Sequence, residues 1–353
     1  MRVDGDRRDQ GKNGAGVTYQ RSFVMPREVG INAISTLLGL ISHVGSQPLD
    51  EDGISLDFAH VTWVDTMGLC LLSHWFEDLQ GSGVCVELMN LPFDIECYMQ
   101  RMDLFKSYDN LIYTDRSSTR ARHEQSRNLV EIISVTNSGA ADAAAYKMAE
   151  TIISRVSSIS NEPDPSGMSP SPAEAAVSGL GYVFSELLDN SLTHGRRANY
   201  NFSHPKVAVQ YVRGRGRLTV AILDNGCGLL TSLNGHRLLV PPTDNVAIRI
   251  ALIPKVSCNR DLALGRESAN QGIGLTVSTR LATKTGGNFT VFSGQGCYHQ
   301  NGESNISEQS MGSRWQGTGV FLDLNVSRLQ ELLPHDVITT LPGYREEVNI
   351  RFG

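Results

Sequence analysis

Over its first hundred or so residues the chain alternates between two hydrophobic periods. VTYQRSFVM, ISLDF and GVCVELMN carry the short alternating or continuous apolar runs of strands. INAISTLLGLISHV and FDIECYMQRMDLF instead place apolar residues three and four apart, as one face of a helix requires. HVTWVDTMGLCLLSHWFEDL reads as a turn running into a helix. Strands alternating with helices predict an α/β sheet with helical crossovers over residues 17–115. The pattern then stops. DRSSTRARHEQSR, at 116–128, is charged and has no hydrophobic period, which predicts a linker.

Periodicity resumes with LVEIISV as a strand and AADAAAYKMAETIISRV as an amphipathic helix, followed by the proline- and serine-rich loop NEPDPSGMSPSP. The loop ends in Ser171-Pro172-Ala173-Glu174. This combines an N-cap serine, proline at the first helical position and a glutamate three residues after the cap, a strong helix start. Val177, Leu180, Phe184, Leu187 and Leu188 continue the apolar face, and Gly195 is a natural stop. LTVAILDNGCGLL predicts a strand followed by a glycine turn, and NQGIGLTVSTRLATKTGG a glycine turn opening a helix. The stretch GQGCYHQNGESNISEQSMGSRWQ, about 293–316, has no element assigned and reads as a loop or insertion between two strands.

Length and charge set outer bounds. At 353 residues the chain suits two domains. Residues 1–16, polar and charged, are expected to form a disordered tail and lack the apolar stretch of a signal peptide. The formal charge of -6 argues against a dedicated nucleic-acid binder. No run is long enough to predict a membrane span. The six cysteines form no C-x-x-C pair and do not combine with histidine at metal-ligand spacing, which suits reduced thiols and a cytoplasmic location.

The chemistry-bearing residues lie on three stretches. Glu186, Asn190 and His194 fall four apart at the end of the long helix, so the first two can reach one small volume. The carboxylate could deprotonate a bound water or hydroxyl and the amide oxygen could ligate Mg²⁺, or the stripe could be an exposed polar face. Asp224-Asn225-Gly226-Cys227-Gly228 follows a strand, and Gly272-Ile273-Gly274-Leu275 opens a helix where free N–H groups favour phosphate.

In order, E-x-x-x-N, D-x-G-x-G, G-x-G-L and the GTGVFLDL strand resemble the ATP-binding domain of the GHKL superfamily, which includes gyrases, MutL proteins, histidine kinases and anti-sigma-factor kinases. The resemblance implies an α/β sandwich over 129–353, with a mixed sheet, helices on one face and a lid at about 230–271. It implies Glu186 as the residue activating the nucleophile, Asn190 as the Mg²⁺ ligand, with Asp189 beside it in the ATP site, and Asp224 as the partner of the adenine amino group. Gly226 and Gly228 would let the base pack closely, Gly272, Gly274 and Leu275 would line the phosphates, and Thr318 would sit near the adenine. The implied ligands are ATP and Mg²⁺. Within the lid, Thr243 is placed to cap a helix through VAIRIAL, and Arg260 and Arg266 are either γ-phosphate contacts or solvated surface. His194 is either a helix cap or a catalytic group. His123-Glu124 does not qualify as the phospho-acceptor of a sensor kinase, because its arginine-rich surroundings are not a long apolar helical hairpin.

The first unit resembles the STAS domain of anti-sigma-factor antagonists, on hydrophobic spacing plus Asp65 and Gly68. Thr66 is then the available phospho-acceptor, though an N-cap suits the same position. Together the two resemblances imply a regulatory Mg-ATP-binding protein, either a serine/threonine kinase or a nucleotide-dependent switch for a protein partner. The alternatives are a slow ATPase that closes its lid and homodimerises, and a non-catalytic ATP-binding module.

Overall fold

Helix TMGLCLLSHWFEDLQG has almost no polar face, and a helix that is apolar all round must be buried all round. The computed structural model shows what covers it. It describes residues 21–47, 53–108, 111–113, 129–156, 159–162, 170–254, 256 and 274–329. The tail at 1–16, the linker at 116–128, Arg260, Arg266 and Gly272 lie outside the described residues.

The first unit contains β1 (Arg21–Val24), β2 (Glu28–Val29), α1 (Ile34–Gly45), β3 (Ile54–Asp57), β4 (Trp63–Val64), α2 (Thr66–Gly81), β5 (Val86–Met89), α3 (Phe93–Arg101) and β6 (Leu111–Tyr113). Strands β1, β3, β5 and β6 form a parallel sheet in that order, and β2 pairs with β4. The second unit contains β7 (Leu129–Ser134), α4 (Ser138–Ile153), α5 (Pro172–His194), β8 (Pro205–Val212), β9 (Arg217–Asp224), α6 (Gly228–Ser232), α7 (Asp244–Ala251), α8 (Gly274–Lys284), β10 (Asn288–Asn301), β11 (Asn305–Asn325) and α9 (Val326–Leu329). Its five strands run β10-β11-β9-β8-β7.

Two sequence expectations are corrected here. The second sheet is antiparallel at every described pairing, not mixed: β8/β9 and β10/β11 are hairpins, and the longer connections that place β7 beside β8 and β11 beside β9 also return antiparallel. The stretch 293–316 is not a loop. It is the outer part of the β10/β11 hairpin, whose register runs out to Asn301 opposite Asn305. The unit's own helices α4, α5 and α8 lie on one face of this sheet, as expected, and α1 and α2 of the first unit cover the other.

The strands themselves record that double burial. In β9, Leu218, Val220 and Ile222 pack with α4, α5 and α8, while Ala221 and Leu223 join the core of the first unit. In β8, Val207 and Val209 face one way and Ala208 the other. Small Ala208 and Ala221 let α2 sit closely on the sheet. Helix α2 therefore lies between the parallel sheet and the antiparallel one, shared by two cores.

Polar contacts fix this seam. Tyr98 Oη donates to Gln210 Oε1 at 2.8 Å, Arg101 Nη1 reaches Glu131 at 2.7 Å, and the Ile132 N–H donates to Met102 O at 3.2 Å. Lys206, only 2% exposed, donates to Ser73 Oγ at 3.0 Å and to Tyr108 Oη at 3.1 Å. His74 is fully buried, and its pKa is pushed down to about 3 by burial first and the Lys206 charge second. Among the described residues no helix is long and apolar enough to cross a membrane.

Asp65 and Gly68, which carry the first unit's sequence signature, have structural reasons. Asp65 caps α2 by accepting from Gly68 N at 2.8 Å and also accepts from Ile31 N at 2.8 Å. A Cβ on Gly68 would come within 2.0 Å of Val29 O. Asp65→Ala removes the cap and strands a second N–H, so it should cost roughly 3 kcal/mol. Asp65→Asn keeps only one of the two acceptors, because Gly68 N and Ile31 N bond different oxygens, so it should fall between wild type and Asp65→Ala in urea denaturation, losing about 1–2 kcal/mol.

Candidate functional site

The capping box read from the sequence is present. Ser171 Oγ accepts from Glu174 N and the Glu174 carboxylate accepts from Ser171 N, which starts α5 in register to deliver its last two turns to the sheet. Helix α5 ends at His194 as expected, but Gly195 does not end it through a left-handed turn, since its φ is -63°. Gly195 is needed for close approach. A Cβ on Gly226 would lie 2.5 Å from Gly195 Cα, and Cys227 N donates to Gly195 O at 2.8 Å. The end of α5 and the turn after β9 are thus bonded backbone to backbone.

A cavity opens between α5, the sheet, α6 and the start of α8, with an empty volume of ≈ 860 Å³ that includes some open solvent. Asn190, Asp224, Gly228, Gly274, Leu275 and Thr318 all line it. These residues come from four sequence stretches and meet on one wall system. Ile222, Val320, Leu229 and Leu233 add apolar surface, as a flat aromatic ligand requires.

Asp224 anchors the site. It is 3% exposed, and burial pushes its pKa up to about 6 against the opposing hydrogen bonds. Oδ1 accepts from Gly226 N at 2.8 Å and Thr318 N at 3.2 Å, and the Ser191 hydroxyl also bonds the carboxyl. The turn around Asp224 is held from β11. Trp315 Nε1 donates to Asp224 O at 2.8 Å, Gln316 Nε2 to Gly226 O at 2.9 Å, and Gly317, at φ 124°, allows its backbone to reach the same turn. Gly228, at φ 77°, sits beside Ser293, whose hydroxyl accepts from Leu229 N at 2.9 Å and donates to Gly317 O at 2.8 Å.

Ser293, Trp315 and Gln316 carry no motif that would single them out in the sequence. They lie at the two ends of the stretch without an assigned element, and only the pairing of β11 with both β9 and β10 brings them to Asp224.

Not every sequence candidate reaches the cavity wall. Asp189 is turned to α4, where it bonds Ser138 and faces Asp142; burial first and Asp142 second raise its pKa. One residue from Asn190 is about 100° around the helix, so both cannot face the same cavity. Gly226 lies behind the wall, packed on Gly195. Glu186, 5% exposed, is one turn before Asn190 and stands against the start of α8, where a Cβ on Gly274 would be 3.2 Å from its Cβ. His194 lines the cavity with its pKa lowered to about 4, by burial first and Arg197 second, so it is a neutral imidazole and not a charged helix cap.

Thr66 is elsewhere. It is the first residue of α2, Asp65 being the cap, and it is fully buried with Oγ1 3.4 Å from Thr219 Oγ1, on the sheet face opposite the cavity. In this arrangement its hydroxyl is inaccessible as a phospho-acceptor.

Part of the expected lid is described. Thr243 Oγ1 caps α7 by accepting from Val246 N at 3.4 Å. Leu233, Leu239, Val246, Ala247 and Ile250 form a small separate core, from which Leu233, with Ala251 and Val256, reaches the cavity. No protein-family model and no curated protein sequence matches this chain.

Proposed function

We propose that the chain is a nucleotide-binding regulatory protein of the GHKL type, with a STAS-like unit docked on the back of its sheet. More specifically, it binds Mg-ATP and acts as a nucleotide-dependent partner switch or as a serine/threonine kinase on a separate protein. The observation that carries this reading is the convergence of Asn190, Asp224, Gly228, Gly274, Leu275 and Thr318 on one cavity.

The residues suit the ligand. Asp224 offers a buried acceptor for an exocyclic amino group, and apolar Ile222, Val320 and Leu229 suit the faces of a base. Asn190 supplies a neutral amide oxygen on the wall, a suitable ligand for a hard cation whose remaining ligands are phosphate oxygens and water. When bound, Mg²⁺ would neutralise phosphate charge. The N-terminus of α8 at Gly274 places helix N–H groups and the positive dipole end at the cavity. Glu186 is positioned to hold a proton near that helix start. The small core of α6 and α7 would close over the ligand and exclude water.

The buried position of Thr66 favours an acceptor on another protein over transfer within the chain. Calorimetry with Mg-ATP should show one site. Glu186→Gln should keep binding and lose at least about 100-fold in phosphate transfer or release, since general base catalysis supplies about that much. Labelled γ-phosphate on a partner identifies a kinase, and free phosphate identifies the ATPase alternative. Absence of ATP binding would overturn the reading.

A further inference from the structure

The seam between α2 and the antiparallel sheet gathers three metal-ligating side chains. His74 and Glu77, one turn apart on α2, meet His204, which precedes β8, with one donor atom from each within 4.8 Å of the others. We propose that His74 Nδ1, Glu77 Oε2 and His204 Nε2 form a binding site for a borderline divalent transition metal of the Zn²⁺ class, which pins α2 to the sheet.

The hydrogen bonds at the far side of each ring carry this inference. His74 Nε2 is 3.0 Å from Leu223 O. A carbonyl can only accept, so Nε2 carries the hydrogen and Nδ1 presents a lone pair. His204 Nδ1 is likewise 3.2 Å from Phe202 O, and in the tautomer that donates there the Nε2 lone pair points towards Glu77. Metal-bound histidines are held by this kind of carbonyl contact at the nitrogen that does not ligate. His74 Nδ1 is buried and has no hydrogen-bond partner among the described residues, and His74 itself is fully buried.

The spacing also fits. His204 Nε2 is 3.4 Å and His74 Nδ1 3.8 Å from Glu77 Oε2. Two ligand atoms about 2.0–2.1 Å from a tetrahedral ion stand roughly 3.3–3.4 Å apart, so the first pair needs no movement and the second a few tenths of an ångström. A carboxylate oxygen between two imidazole nitrogens is a donor set that a cation can bridge. Two imidazoles and one carboxylate suit Zn²⁺ and its neighbours better than Mg²⁺ or Ca²⁺, which take oxygen ligands.

The competing cation is Lys206, whose Nζ lies 2.9 Å from Glu77 Oε2. It also donates to Ser73 and Tyr108, so it keeps two partners when the carboxylate turns to a metal. Lys206 thereby competes with a metal for the carboxylate and should weaken the site.

The test uses the full chain, stripped with a chelator and titrated with Zn²⁺, and with Co²⁺ for its visible spectrum, in the absence of nucleotide. One equivalent should bind, and Co²⁺ should give the absorption of a four- or five-coordinate nitrogen and oxygen site. His204→Ala and Glu77→Gln, both at the more open side, should each weaken Zn²⁺ binding by at least about 100-fold, since loss of even an outer partner costs 10- to 100-fold. Lys206→Met should bind Zn²⁺ more tightly than wild type, and Zn²⁺ should restore any thermal stability that substitution loses. His74→Ala, within the packed seam, would confound binding with folding and is not the deciding variant. Failure of the wild type to bind one equivalent, or binding unchanged in both His204→Ala and Glu77→Gln, overturns the proposal and leaves the Lys206–Glu77 ion pair as the account of the cluster.

Discussion

Asp224→Asn should abolish most nucleotide binding while leaving the fold intact. The amide oxygen can still accept from the Gly226 and Thr318 N–H groups that now hold Oδ1. The other oxygen becomes an NH₂ group, which would face the adenine amino group donor to donor. Losing one hydrogen bond to a charged acceptor and leaving a donor unpaired costs about 3 kcal/mol, or roughly 100-fold in affinity. Calorimetric titration with a non-hydrolysable Mg-ATP analogue reads this directly, and wild-type affinity in Asp224→Asn would remove the basis for placing the base here.

The same carboxyl gives a pH dependence whose sign can be worked out. Burial raises the folded pKa of Asp224 to about 6 from an ordinary value of 3.8. Because Oδ1 is engaged by two N–H donors, an added proton goes to the oxygen left for the ligand and turns it into a donor. Affinity should therefore fall as pH drops through about 6. Stability runs the other way for this group. The folded state holds the proton more tightly than the unfolded one, so the cost of burying the carboxylate is fully present above about 6 and gone below the unfolded value. The stability of wild type relative to Asp224→Asn should rise between pH 6 and pH 4. Comparing the two proteins isolates Asp224 from Asp65, also raised to about 6 by burial, and from His74 and His194, whose lowered values act in the opposite sense.

Much of the cavity is legible in the sequence because its residues are local there. The capping box of Ser171 and Glu174 sets where α5 begins, and helical spacing then sets where Asn190 points. The glycines after Asp224 and at the start of α8 mark turns that residues with side chains would block. What the sequence hides is long-range. Strand β8 escapes the pattern, although PKVAVQYV has apolar runs on both faces, because burial on both sides removes the alternation that marks a half-exposed strand. The β10/β11 hairpin ends are polar, with Ser307, Glu308 and Gln309 exposed, so hydrophobic period cannot find them. Asp189 is misplaced by nearness in sequence, which on a helix separates neighbours by about 100°. The packing of the two units is foreshadowed only by α2, whose apolar surface exceeds what one sheet can cover. His204 comes to His74 and Glu77 only through that packing, and no motif spacing could reveal it.

Thr66→Asp should unseat α2 from the antiparallel sheet, at a cost of about 3–5 kcal/mol, the usual penalty for an uncompensated buried charge. A helix N-terminus ordinarily welcomes an anion. Here that place is taken: Asp65 accepts from Gly68 N and Ile31 N, and burial has already raised its own pKa to about 6. A second carboxylate one residue on, at a fully buried position, would face Thr219 with like charge beside it. Thr66→Val loses only the long 3.4 Å contact to Thr219 and should stay within about 1 kcal/mol of wild type. Hydrogen exchange should separate the two variants, with α2 amides losing protection in Thr66→Asp and keeping it in Thr66→Val. Wild-type protection of α2 in Thr66→Asp would show that the seam tolerates charge. If protection is lost instead, phosphate on Thr66 and a seated α2 exclude one another: a kinase could reach this hydroxyl only after the units part, and the phosphate would then hold them apart.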